Sequence, residues 1–397
     1  MIFLRAGGLV LPDRVSGPAT VVIEGDRIVD VRDGSRGGST ADVAIDATGH
    51  LVVPGFIDVH VHGVDGCDAL AQADGVERMS LRLPRFGVTA FCPTSIACAP
   101  ATLRALLAAV GRARANRPRR GARVLPAHLE SNFISPAFAG AQPVECLRVP
   151  RGSRPEGEFT GAEILDEIDR ARPDVGIVTL APELEGAIDL VRSLVSRGHR
   201  VSIGHTGATY EQARAGIDAG ARHATHLFNR MTPLTHHEPG VVGAVLESEE
   251  VAAELIADGV HVHPAAMRAA IAAKGASRMI AITDGTSGSG MPAGSRATLG
   301  GRPITVTDVA RLDDGTLAGS VLTMDRAFAR LTTLAGLSPV EAALMTSTTP
   351  ARELGLHGHG VLAPGTVADL VVLDAAYHVV QTWVGGELAW AGDRLGI

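Results

Sequence analysis

"PGFIDVHVHGVDG", residues 54–66, is an apolar run that contains two histidines near its end. Apolar and polar side chains alternate along it, as they do along a β-strand, and Asp58, His60 and His62 share the polar side. A pair of histidines at the end of a buried strand is either structural or part of a metal site. The partners that the rest of the chain supplies decide between these two interpretations.

The segment downstream repeats a strand-then-helix pattern. Short apolar runs alternate with helical stretches such as "ATLRALLAAVGRARA" and "AEILDEIDRAR", which predicts parallel strands joined by helices. Both ends of the chain instead resemble short antiparallel strands, as in "TVVIEGDRIVDV". We therefore predict an α/β fold, with a (β/α)8 TIM barrel at residues 55–362 and a small β-sandwich domain formed by both chain termini, residues 1–54 and 363–397.

Four other apolar runs also end in a side chain that can bind metal or exchange a proton. These residues are Glu130, His205, His226 and Asp284. The C-terminal ends of the strands of a TIM barrel converge on one mouth, where active sites are built. Together with His60 and His62, these residues predict a metal site at that mouth.

The predicted donors are imidazole nitrogens and carboxylates without a thiolate. Such a set fits zinc, one or two ions per chain, with Fe²⁺, Mn²⁺ or Co²⁺ as alternatives. Zinc lowers the pKa of a water molecule to about 7, and hydrolysis then needs a group that transfers protons. Asp284 fits that role; the alternative is a helix N-cap before the glycine-rich "GTSGSG".

Charge and composition exclude several classes of function. The formal net charge of −7 argues against a nucleic acid or an anionic membrane surface as partner. No apolar run reaches the roughly 18 residues that span a bilayer, and the first residues lack the pattern of a signal peptide. The four cysteines have no CxxC spacing. We expect a cytoplasmic protein that binds a small-molecule substrate.

Several motifs together resemble a known family. "PGFIDVHVHG", "HLES", "GHT", "THLFN", "ITDG" and "ADLVVLD" are similar to motifs of the amidohydrolase superfamily, and "THLFN", "ADGVH" and "TLAGS" resemble its N-acetylglucosamine-6-phosphate deacetylases. The resemblance covers essentially the whole chain. It implies a homodimeric, metal-dependent enzyme that hydrolyses N-acetylglucosamine-6-phosphate to glucosamine-6-phosphate and acetate, in amino-sugar catabolism.

The resemblance also implies a role for individual residues. Glu130, His205 and His226 would hold the main metal ion, and His60 and His62 a second one. Asp284 would be the general acid and base, and His261 would polarise the acetyl carbonyl. The substrate would contact the following residues: Ala141, Gln142, Asn229, Arg230, His237, His261, Leu317, Ala318 and Gly319.

Two departures from the family pattern affect the turn after Glu130, which keeps its ligand, and the contact to the substrate phosphate. Glu130 is followed by Ser131 where the family commonly has glycine, and His237 stands where it typically has an arginine that binds the substrate phosphate. Histidine is a weaker phosphate ligand, and Arg230 is the candidate to compensate. Alternative substrates are therefore N-acetylgalactosamine-6-phosphate, an unphosphorylated N-acetyl sugar or an N-acyl amino acid. A second alternative is a non-catalytic assembly protein of the same fold.

Overall fold

Eight parallel strands form the centre of the molecule in a computed structural model that describes residues 1–34, 43–150 and 157–392. We number them barrel strands 1 to 8 in chain order: Phe56–Val61, Val88–Ser95, Ala127–Glu130, Val175–Leu180, Arg200–Ile203, His223–Ala224, Ala252–Ile256 and Met279–Ile282. Each pairs with its neighbours in parallel. Strands 8 and 1 close the ring where the Asp284 amide donates to the His60 carbonyl, at 2.9 Å. The predicted TIM barrel is confirmed.

Helices connect the barrel strands and cover their outer surface. They span Gly75–Arg82, Pro100–Ala115, Gly161–Arg170, Ala187–Ser196, Tyr210–Asp218, Gly240–Glu247, Pro264–Lys274, Met324–Thr333, Pro339–Ala343 and Thr349–Glu353. Capping boxes begin three of them, at Thr160, Thr209 and Ser338, because each of these hydroxyls binds the backbone three residues later. Within the described ranges, no helix is both long and apolar enough to cross a membrane.

The two ends of the chain build a second domain, as predicted. Its seven strands lie in one sheet in the order Glu387–Ala391, Val379–Val384, Leu370–Leu373, Val43–Pro54, Ile2–Leu9, Ala19–Glu24 and Arg27–Asp33. Only the pair of Ile2–Leu9 with Val43–Pro54 is parallel. Side chains from both termini, such as Leu4 and Trp383, share one apolar core. That shared core explains why residues so far apart in sequence fold as one unit.

A small sheet that the sequence analysis did not predict lies between barrel strand 8 and helix Met324–Thr333. Its three antiparallel strands are Arg296–Leu299, Arg302–Val306 and Ala310–Leu312. We call residues 296–312 the mouth sheet, because its Leu299 packs with Ala141 and Ala318 in a small core at the barrel mouth. The remaining short elements are Gly63–Val64 paired with Cys67–Asp68, Arg123–Val124, and the helical turns Leu83–Phe86, Pro136–Phe138, Val144–Cys146, Ala276–Arg278 and Leu344–Thr348.

Candidate active site

Glu130, His205 and His226 meet at the ends of barrel strands 3, 5 and 6. The Nε2 atoms of the two histidines each lie 2.8 Å from Oε1 of Glu130 and 3.1 Å from each other. All three side chains are buried. The structure thus brings together the three residues expected to hold the main metal ion.

His60 and His62 lie directly beside this group, at the end of barrel strand 1. Their Nε2 atoms are 3.3 Å apart, and Nε2 of His62 lies 3.6 Å from Oε2 of Glu130. Oδ1 of Asp284 is 3.2 Å from His62 Nε2 and 3.4 Å from His60 Nε2. Glu130 therefore stands between two histidine pairs, as a carboxylate that bridges two cations would.

The backbone at this mouth has an unusual conformation. His205, His226 and Asp284 have φ values of 49°, 30° and 48°, in the left-handed region that residues other than glycine seldom adopt. Each of these residues follows closely after the last residue of its barrel strand. Such conformations cluster at functional sites, where the surrounding structure enforces them.

Glu254 is a buried carboxylate, not predicted from the sequence, that forms hydrogen bonds to three histidines in the barrel interior. Glu254, in barrel strand 7, accepts hydrogen bonds from His60 Nδ1 and His223 Nε2, each at 2.9 Å, and from the His226 amide at 3.1 Å. His128, which also faces this interior, donates from Nδ1 to the Val59 carbonyl at 3.0 Å. Glu254 holds a proton of His60 on Nδ1, so Nε2 is the ring atom turned toward His62 and Asp284.

Nitrogen and oxygen atoms that can bind a cation face each other in this cluster. His205 Nδ1 donates to the Phe138 carbonyl at 2.8 Å, and its Nε2 faces the Glu130 carboxylate at 2.8 Å. Burial opposes a positive charge on His60, but the Glu254 and Asp284 carboxylates outweigh burial and raise its pKa to about 10. Imidazole and carboxylate donors without a thiolate fit a divalent metal ion, and we conclude that these residues fit the metal that the fold implies.

The pKa directions describe a buried carboxylate, Asp284, that stays ionised. Burial alone would raise the pKa of Asp284, but His60 and His62 lower it below the usual value. His261 is oriented separately, because its Nδ1 lies 2.6 Å from Oδ2 of Asp258. Burial also opposes the charge on Asp258, and His261 outweighs it, so the pKa of Asp258 is lowered.

One cavity at the barrel mouth collects most of the predicted site residues. It is lined by His62, Glu130, Ala141, Gln142, His205, His226, Asn229, Arg230, His261, Asp284, Leu317 and Gly319, together with Gly140 and Leu299, which were not predicted. His60 is fully buried and does not line the cavity. The side chain of Ala318 is buried in the core of the mouth sheet, which leaves only its backbone for a substrate.

His237 does not line the active-site cavity of its own chain. It is exposed in the loop before helix Gly240–Glu247, with its ring 4.0 Å from that of His236. Arg230 does line the cavity, and its side chain has no hydrogen-bond or ion-pair partner among the described residues. Gln142 is already engaged, because its amide donates to Glu130 and accepts from the Ala97 amide at 2.8 Å.

Comparisons with known proteins agree with this geometry. The model of the Amidohydrolase family matches residues 51–389. The chain is 40% identical to N-acetylgalactosamine-6-phosphate deacetylase of Escherichia coli O157:H7, over 85% of this chain and 88% of that protein. It is 38% identical to N-acetylglucosamine-6-phosphate deacetylase of Vibrio furnissii, over 85% and 83%.

A solved structure gives the same result. This is a mutant N-acetylglucosamine-6-phosphate deacetylase from Mycobacterium smegmatis in complex with N-acetylglucosamine-6-phosphate; the TM-score is 0.87 at 33% identity, over 98% of this chain and 99% of that one. The chain belongs to the amidohydrolase family, in the branch that contains the N-acetyl amino-sugar-6-phosphate deacetylases.

Proposed function

We propose that this protein hydrolyses the N-acetyl group of N-acetylglucosamine-6-phosphate and releases acetate and glucosamine-6-phosphate. The observation that carries the proposal is a single cavity that holds the His–Glu cluster, Asp284 and Arg230 together. The names of the relatives support the substrate class. A non-catalytic role is disfavoured, because the proposed ligands and Asp284 are all present and lie close together at the barrel mouth.

We infer that the metal is zinc, held by Glu130, His205 and His226, with His60 and His62 providing a second position. The bound ion would lower the pKa of the attacking water and polarise the acetyl carbonyl. The residues themselves hold the reacting groups in place, because Glu254 orients His60 and the strand-end turns direct the other side chains into the cavity. This preorganisation is the usual basis of catalysis at such sites.

Proton transfer falls to Asp284. As a buried carboxylate with a lowered pKa, it accepts the proton of the attacking water and then returns it to the sugar nitrogen, so that acetate and the amine separate. The Asp258 carboxylate, 2.6 Å from Nδ1 of His261, fixes the orientation of that ring in the wall of the cavity, where His261 is placed to stabilise the negative charge that develops on the acetyl oxygen.

We propose that Arg230 supplies the main contact to the substrate phosphate. Its guanidinium can donate two parallel hydrogen bonds to a phosphate, and no acidic side chain of the described residues competes for it. His237 is too far out in its loop to serve its own cavity. The homodimer that we propose would allow His237 to reach the cavity of the partner.

The test is acetate release by the zinc-loaded protein. N-acetylglucosamine-6-phosphate is compared with unphosphorylated N-acetylglucosamine, and Asp284→Asn serves as the blank. We expect the phosphorylated sugar to have the higher kcat/KM, by about a hundredfold, or about 2.7 kcal/mol of transition-state discrimination. Equal rates would show that no phosphate site operates. No release from either sugar would exclude the proposed substrate.

N-acetylgalactosamine-6-phosphate is a second candidate substrate. The relative that is 40% identical carries that name. The two sugars differ only in the configuration at carbon 4, so the same catalytic residues can serve both. The ratio of the two kcat/KM values, measured in the same assay, decides between them.

We further propose the division of the chain into a catalytic domain, residues 55–362, and a terminal domain, residues 1–54 and 363–397. We also propose that the enzyme acts in the cytoplasm, where amino-sugar phosphates are metabolic intermediates. Expression of residues 55–362 alone would test the division. Because Val53, Val371 and Leu373 of the terminal strands pack into the barrel core, their removal would expose apolar surface, and we expect the isolated barrel to aggregate.

A further inference from the structure

A large cavity lies at the opposite end of the barrel from the candidate active site. Its volume is about 900 Å³, which is large enough for a metabolite. We call it the lower cavity, because the residues around it precede barrel strands 3 to 6 and the last of them follow helix Thr349–Glu353. Its wall combines arginine and histidine side chains with apolar ones.

Positive charge is concentrated in the lower cavity. Four arginines line it, Arg172, Arg197, Arg200 and Arg222, and Glu353 is its one acidic lining residue. This surplus occurs in a chain whose formal net charge is −7. Three consecutive helix-to-strand loops each contribute at least one of these arginines, so the surplus does not arise from a single basic segment.

The hydrogen bonds and ion pairs that these arginines already form do not use all of their guanidinium N–H donors. Arg200 is bound to Glu353, at 3.1 Å, and is the most enclosed of the ion-paired three. Arg197 and Arg222 pair with Asp169 and Glu250, which are exposed to solvent. Arg172 has no acidic partner among the described residues, and its guanidinium donates only to the Arg197 carbonyl, at 3.4 Å. Exposed ion pairs are weak and exchange readily for a better ligand.

His199 adds a second and independent observation. It is 5% exposed, and its Nδ1 donates to the Val175 carbonyl at 3.0 Å. Its Nε2 is buried without a hydrogen-bond partner, which is uncommon for a polar atom in a folded protein. Because Nδ1 carries the proton, the unpartnered Nε2 is an acceptor. It can accept a hydrogen bond from a hydroxyl on the organic part of a ligand, but it cannot donate to a phosphate.

The ends of the neighbouring helices do not account for the whole cluster. Arg222 does bind carbonyls at the end of helix Tyr210–Asp218, which is an ordinary stabilising contact. Arg172 and Arg200 also donate to helix-end carbonyls, those of Arg197 and Glu353, whereas Arg197 pairs with the side chain of Asp169. The other wall is apolar, with Leu354, Leu356 and Val195. A guanidinium cluster opposite an apolar wall fits an ester that carries a phosphate on an organic body.

We propose that the lower cavity binds a small organic phosphate, separately from the substrate site. The test is isothermal titration calorimetry of the full-length protein with adenosine monophosphate and with inorganic phosphate. The first probe carries an apolar body and the second does not. We expect both to bind, and the nucleotide to bind more tightly because of the apolar wall. The readout is binding and not turnover, so it is independent of the proposed function.

Variants then test whether the nucleotide binds in the lower cavity. Removing two guanidinium groups with Arg172→Gln and Arg197→Gln together should weaken binding of the nucleotide by at least about tenfold. The control is the double variant Arg14→Gln and Arg192→Gln. These two exposed arginines each pair with an aspartate, and their replacement makes the same change in net charge elsewhere on the protein. The affinity for the nucleotide should stay unchanged. Arg230→Gln, in the active-site cavity, should also leave it unchanged.

Three results would overturn the proposal. The first is no heat of binding for either probe with the wild-type protein. The second is equal affinity of the Arg172/Arg197 variant and the wild type, with circular dichroism showing both folded. The third is loss of binding in Arg230→Gln or in the control pair, which would assign the phosphate to the active site or to general charge attraction.

Discussion

Replacement of Glu254 tests whether a buried carboxylate in the barrel interior positions the proposed metal ligands. It accepts two hydrogen bonds from histidine rings and one from the His226 amide. Glutamine has nearly the same shape but retains only one acceptor oxygen and carries no charge. In Glu254→Gln, one ring N–H therefore faces an amide NH2 group instead of a carboxylate, and His60 loses the partner that holds its proton on Nδ1.

The size of the effect follows from this loss. A hydrogen bond to a charged group contributes about 1.5–3 kcal/mol. Outer partners of metal ligands typically change metal affinity by about 10- to 100-fold, or about 1.4–2.8 kcal/mol. The two figures agree. We expect the affinity of the position formed by His60 and His62 to fall by about 10- to 100-fold in Glu254→Gln.

The assay is competition for zinc with a chelator of known affinity, followed by measurement of metal content. Glu167→Gln is the matched control, because Glu167 also accepts charged hydrogen bonds, from Arg104 at 3.0 Å, but does so on an outer helix. The control should lose stability and keep its zinc affinity. Wild-type zinc affinity in a folded Glu254→Gln protein would refute the positioning role of Glu254.

Three further predictions concern other parts of the molecule. His60→Asn with His62→Asn should lower bound zinc from about two ions per chain to about one, measured by elemental analysis; an unchanged content would contradict the second position. Asp258→Asn should lower kcat by about tenfold or more with little change in KM, because His261 loses its orienting charge; a change confined to KM would assign His261 to substrate binding. Lys274, the chain's one lysine, should titrate near pH 8 in an NMR experiment on lysine-labelled protein, because burial lowers its pKa from 10.5 to about 8. Between pH 8 and 10.5 the unfolded state binds more protons than the folded state, so the free energy of unfolding should rise with pH. A titration midpoint near pH 10.5 would show that burial does not lower this pKa.

The sequence was sufficient to predict the barrel and the residues at its mouth. His205, His226 and Asp284 each follow an apolar run, and the geometry of a TIM barrel brings such residues together whatever their separation in sequence. The position of a residue at the end of a strand is visible in the chain itself. For this reason the strand-end residues of the cavity could be proposed from the sequence, whereas Gln142, Asn229 and Arg230 were proposed only through the family resemblance.

Glu254 could not be found in the same way. It lies in the middle of the run "VAAELIA", and only the closure of the barrel shows that its side chain points inward to His60, 194 residues away. Asp258 was missed because "ADGVH" reads as a turn, and the mouth sheet because its strands have no long apolar run. His237 does not line the cavity of its own chain, and its proposed role rests on the proposed homodimer.

The left-handed backbone at His205, His226 and Asp284 has a consequence for evolution. Each such conformation costs on the order of 1–3 kcal/mol for a residue with a side chain, and glycine avoids that cost. At these three positions, selection for catalysis therefore opposes selection for stability. In a descendant of this protein that no longer needs the reaction, glycine or asparagine should appear here first. Such replacements would mark a lineage in which catalysis has been lost while the barrel has become more stable.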